Sequence, residues 1–135
     1  MKFRLLDRIT NYTPRSGISV VHTVGFEEIL LARKMGSMEA PRAFLLALAV
    51  EASGFFYAVE SNFQYWVQLD ELESLSVNLP DHNTCWSLEL KQDGQFQMVC
   101  SGVLSGTIKL KTIELATLYE PEERKAMFKV LQRGS

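Results

Sequence analysis

The chain has 135 residues, 47% hydrophobic and 22% charged, with 14 basic against 16 acidic side chains and a formal net charge of −2. That is enough for one domain with a real core and too little for two. The composition excludes general disorder, and the near-neutral balance carries no electrostatic footprint for nucleic acid. The two cysteines, Cys85 and Cys100, lack metal-ligand spacing, so the reading is a reduced, cytoplasmic protein with no metal or other cofactor.

In chain order, the opening MKFRLLDRIT mixes charges with apolar residues, unlike the apolar stretch of a secretory signal. Residues 3–12 read as a short amphipathic strand or a single helical turn. Pro14, Ser16 and Gly17 mark a turn. Residues 18–24, ISVVHTV, are rich in β-branched side chains and predict a strand. Ile18, Val20, His22 and Val24 share one of its faces, because strand side chains alternate. Residues 25–36 predict a short helix or a structured loop ended by Gly36.

The stretch 38–57, MEAPRAFLLALAVEASGFFY, is apolar on nearly all sides of a helix. It is short and interrupted for a bilayer span and reads as a core helix, so no membrane span is expected. It should start near Ala40, with Pro41 in the first turn where a missing N–H costs nothing. Gly54 either allows close packing against a sheet or marks where the helix weakens.

Residues 63–69 and 72–79 predict two strands, followed by a turn over 80–83. Residues 84–92 alternate, with Trp86, Leu88 and Leu90 on one face and Cys85, Ser87 and Glu89 on the other. Asp93-Gly94 is a two-residue hairpin signal. Residues 95–104 return with Phe96, Met98 and Cys100 on one side, and Ser105-Gly106 predicts a second tight turn. Residues 107–117 form the last strand, where a slip in alternation between Leu110 and Ile113 reads as a β-bulge. Residues 119–132 predict a C-terminal helix, with Pro121, Glu122 and Glu123 in its first turn. One long helix on one sheet stays partly uncovered unless a second sheet meets it, which predicts a dimer.

With these elements placed, residues 3–117 resemble the FabZ-type 3-hydroxyacyl-ACP dehydratases of fatty acid synthesis. Leu5-Leu6-Asp7-Arg8-Ile9 is similar to the family's LLVDRV-like opening, and Pro41 stands where the family has the proline of its MPG turn. Residues 45–54, LLALAVEASG, resemble the helix ending EALAQAAG; Leu79-Pro80-Asp81 resembles the VPGD turn; residues 102–116 resemble the last hairpin. The resemblance implies an α+β hotdog fold over residues 1–135, a single domain whose long central helix is wrapped by an antiparallel sheet. It also implies acyl-ACP or acyl-CoA as ligand, and a homodimer or a heterodimer with another hotdog protein.

The family's dehydration uses a His in a GHFPG loop to remove a proton and a Glu on the central helix to handle the departing hydroxyl. Such chemistry needs two groups with separated roles. Counting from Pro41 and Gly54, these positions fall at Arg33 and Ala47. Arginine stays protonated and is a poor base, and alanine has no proton to give. The implied protein is therefore dehydratase-like but catalytically degenerate, with Arg33, Pro41, Ala47, Glu51 and Phe55 near the acyl group.

Glu51 is the single charge inside the apolar helix, one turn beyond Ala47. It is either a displaced acid or base, as in a hotdog thioesterase working with His22, or a carboxylate satisfied by a neighbour. His22 is either a hydrogen-bonded core residue or a base facing the ligand. Arg33, Lys34 and Arg42 either meet a phosphopantetheine phosphate or an acidic carrier-protein helix, or are solvated ends. The aromatics from Phe55 to Trp66 either line an acyl tunnel or form ordinary core. A third possibility is a structural or regulatory hotdog dimer whose tunnel is filled by side chains.

Overall fold

The structure is a computed structural model that describes residues 6–39, 42–82, 84–93 and 95–133. Two strands come first, β1 (Arg8–Thr13) and β2 (Gly17–Val24), then helices α1 (Phe26–Lys34) and α2 (Arg42–Glu60). Four strands follow: β3 (Tyr65–Leu75), β4 (Thr84–Asp93), β5 (Gln95–Cys100) and β6 (Val103–Glu114). A short 3₁₀ turn (Leu115–Thr117) leads to α3 (Pro121–Arg133). All six strands form one antiparallel sheet in the order β1-β2-β4-β5-β6-β3. The architecture is α+β, a six-stranded antiparallel sheet with a long helix packed against it, and is compatible with a hotdog fold.

Burial explains why α2 lies where it does. Leu45, Leu48, Ala49, Ala52, Phe55, Phe56 and Ala58 are all at most 1% exposed. Each large side chain among them contributes about 1.5–3 kcal/mol on leaving water. By length and composition alone this 19-residue helix could also cross a bilayer; half of its most apolar window is buried inside this fold. The sheet presents alternating residues to it: Ile18, Val20, His22 and Val24 from β2, and Trp86, Leu88 and Leu90 from β4. Phe96, Met98 and Cys100 come from β5. Gly54 faces Trp66 of β3 so closely that a methyl group there would overlap the indole, so the helix and strand touch backbone to ring.

Several boundaries differ from the sequence reading. The two strands expected over 63–69 and 72–79 are one strand, β3, and residues 76–80 are irregular apart from a bridge between Asn78 and Glu39. Its pairing with β6 skips at Asp70 and at Glu73. Two bulges therefore break the alternation and mimic a strand boundary. The second tight turn lies at Ser101-Gly102, where both residues have positive φ (49° and 86°), and not at Ser105-Gly106. Those two lie inside β6, with Ser105 the extra residue of a bulge against β5. Gly106 sits against the Ser74 carbonyl of β3 with no room for a Cβ. No register shift separates Leu110 from Ile113 in the β3–β6 pairing; both are half-buried, with exposed Lys111 and Thr112 between them. The expected helix start at Ala40-Pro41, the tip of the 80–83 turn at Asn83 and the hairpin glycine Gly94 lie outside the described residues.

Candidate functional site

An apolar groove of about 390 Å³ opens between α1 and the first turns of α2, within the size range of small-molecule sites. Leu31 and Ala32 of α1, Met35 just after its end, Phe44 of α2 and Leu79 form its apolar walls, while Glu28, Ser37 and Glu39 add polar groups. The segment between the helices is fixed to the irregular stretch that follows β3. The Leu79 N–H donates to the Met38 carbonyl at 2.6 Å, and the Ser76 hydroxyl donates to Glu39 Oε1 at 2.7 Å. The Arg33 guanidinium donates to the Asp81 carbonyl at 3.1 Å, tying the end of α1 to the next turn.

His22 lies behind this groove. It is 6% exposed, its ring centroid is 4.9 Å from that of Phe44, and its Nε2 is 3.4 Å from Glu28 Oε1. Phe44 and Glu28, both groove residues, therefore stand between the imidazole and the open space. The indole of Trp86 stacks on Phe44, with ring centroids 6.3 Å apart and 13° between planes.

Glu51 points elsewhere. Its Oε1 accepts a 2.7 Å charge-assisted bond from Arg124 Nη1 of α3, with the two side chains 21% and 13% exposed. The guanidinium is held over Tyr119 at 3.4 Å and over Trp66 at 4.9 Å from the ring centroids, a cation–π arrangement that fixes α3 on the α2–β3 seam. His22 and Glu51 thus belong to different surroundings, the first to the α1 groove and the second to α3. Phe55 is fully buried between Trp66 and Phe128, inside the core. Arg33 and Ala47, the positions to which the resemblance points, are both exposed. Lys34, Arg42 and His82 are exposed as well. Pro41 lies outside the described residues.

The thiols differ in character. Cys85 is exposed and Cys100 buried, and neither is in a disulfide. Burial pushes the Cys100 thiol up to about 12, with a smaller opposing effect from Ser101. Among the described residues no cluster of histidine, cysteine and carboxylate side chains could hold a metal ion.

Sequence reasoning missed the groove and Arg124. The groove had a signal: α1 carries Phe26, Leu30 and Leu31 besides Ile29 and Ala32, with Met35 just after its end, more apolar side chains than one face of so short a helix can bury. Arg124 had none, because it meets Glu51 across 73 residues of chain. No protein-family model matches this chain, and no curated protein is similar to it in sequence.

Proposed function

We propose that this chain is a hotdog-type protein that binds acyl thioesters, on CoA or on a carrier protein, in fatty acid or polyketide-like biosynthesis. It is dehydratase-like in architecture, catalytically degenerate, and acts as a homodimer or as the supporting half of a heterodimer with an intact relative. The observation that carries this reading is the groove walled by Leu31, Ala32, Met35, Phe44 and Leu79 beside the start of α2, an apolar seat suited to an acyl chain. Arg33 and Ala47 supply neither a base nor an acid at the positions the resemblance points to. The thioesterase alternative loses support from Glu51, whose carboxylate is engaged by Arg124.

The test is turnover of a 3-hydroxyacyl-ACP by this protein alone and mixed with a catalytically intact dehydratase of the same architecture. No dehydration alone, together with a stable mixed complex that changes the partner's rate, is the expected result. Dehydration by the purified chain alone, unchanged in Arg33→Ala, would overturn the degenerate reading. Release of free thiol that disappears in Glu51→Gln would replace it with the hydrolase.

A further inference from the structure

The groove between α1 and α2 carries charge of one sign. Its ionisable lining consists of two carboxylates, Glu28 and Glu39, set among the apolar walls. Among the described residues no lysine, arginine or histidine lines it. The cations of α1 are engaged elsewhere. The Arg33 guanidinium donates to the Asp81 carbonyl at 3.1 Å, and Lys34 lines a separate depression with Glu27, Leu30 and Leu31. Glu28 Oε1 stands 3.4 Å from Nε2 of His22, which lies behind the groove, and Glu39 accepts the Ser76 hydroxyl at 2.7 Å. Among the described residues neither carboxylate pairs with a lysine or an arginine.

This one-sided charge decides which head group the groove tolerates. Any charged head loses hydration against apolar walls, whatever its sign. The two carboxylates add an effect that depends on sign. They repel an anion and attract a cation, and both forces are stronger beside low-dielectric walls than in open water. A thioester is uncharged and meets neither cost, whereas a free fatty acid meets both. We infer that Glu28 and Glu39 make the groove select by charge, so that it takes an acyl chain as the uncharged thioester and refuses the corresponding free carboxylate. The inference rests on the acyl-thioester reading for the identity of the chain and adds the residues that set its selectivity. It also places the phosphates of CoA or of a carrier arm outside the groove, with only the chain and the thioester inside.

The test titrates ligands of one chain length into the full-length protein at neutral pH: the octanoyl thioester of N-acetylcysteamine, octanoate and octylamine. Binding is read from the methyl NMR signals of Leu31, Met35 and Leu79, which report this groove and no other surface. The thioester should bind, and octylamine should bind about tenfold tighter than octanoate. Loss of hydration weakens both charged ligands, so the gap between them reads the sign of the field. Glu28→Gln and Glu39→Gln should each narrow that gap about threefold, and the double variant should close it. General damage to the groove would weaken every ligand and leave the gap in place. Octanoate that binds as tightly as octylamine overturns the inference, and so does a gap that the glutamine variants leave unchanged. In either case the acyl-thioester reading survives as long as the thioester binds. A thioester that shifts none of these methyl signals removes the groove as an acyl seat, and the reading falls together with the inference.

Discussion

The Glu51 carboxylate is the residue on which a catalytic and a structural reading diverge most. Its bond to Arg124 is mostly shielded from solvent, and Arg124 is also sandwiched by Tyr119, Trp66 and Phe55. Removing one partner of such a pair leaves the other partly desolvated and unpaired. Glu51→Gln should therefore cost about 1–2 kcal/mol of unfolding free energy, and Arg124→Ala about 2–4 kcal/mol because the cation–π contacts go too. Urea unfolding of both single variants and the double variant would show the coupling, and additive losses would mean the pair contributes nothing. Cys100 gives a pH dependence of definite sign. Burial raises its thiol from 9.0 to about 12, so the folded chain keeps a proton that the unfolded chain loses. Stability from this group is fully present below pH 9.0 and is lost as pH rises towards 12. Tyr57, raised by burial, acts in the same direction at higher pH. Between about pH 8 and about pH 11 the wild type should lose on the order of 1–3 kcal/mol more than Cys100→Ala. Parallel curves for the two proteins would refute the assignment. A thiol reagent at neutral pH should label the exposed Cys85 and leave Cys100 untouched.

At the scale of elements, the crossing of α2 over β3 is decided by Gly54. Alanine there gains up to about 1 kcal/mol of helix propensity but drives a methyl group into the Trp66 ring, which is 1% exposed and cannot swing away. Overpacking wins, and Gly54→Ala should lower stability by about 1–3 kcal/mol in thermal or urea unfolding. A neutral or stabilising result would mean that the helix and strand are not in contact. The same glycine marks how far the amino-acid pattern alone reaches. Close packing is one of two roles the sequence allows it, whereas the buried face of β4, with Trp86, Leu88 and Leu90, follows from alternation alone. The elements that escape do so where regular periodicity is interrupted. Asp70 and Glu73 each add a residue to β3 without a partner on β6, so one strand mimics two. Ser105-Gly106 carries a turn-like dipeptide because Gly106 must let the β3 backbone approach; the demand is steric, and no local pattern distinguishes it from a turn. The groove depends on α1, α2 and Leu79 meeting in space, which spacing along the chain does not encode.

At the scale of the whole molecule, α2 is covered unequally at its two ends. Its first turns meet α1 through Phe44 and the groove. Its last turns are enclosed by β1 and α3: Tyr12 packs on Phe56 and its hydroxyl bonds Glu60, which also accepts the Arg15 N–H at 3.0 Å. Phe128 of α3 binds this end together, with its ring 6.1 Å from Phe55, 6.3 Å from Phe63 and 6.4 Å from Tyr12 between centroids. A side chain shared by three elements makes them open as one unit. Phe128→Ala should cost about 3–5 kcal/mol. In native-state hydrogen exchange it should lower protection in α3, in β1 and in the C-terminal half of α2 together. Protection in α1 should fall least, because α1 is held by Ile29 and Ala32 at the other end. Loss of protection confined to α3 would show that the terminal helix is a separate latch and that β1 and α2 hold each other without it. The expected pattern instead means that the two ends of α2 open independently, so that the groove end by α1 keeps its protection when the end held by Phe128 is loosened.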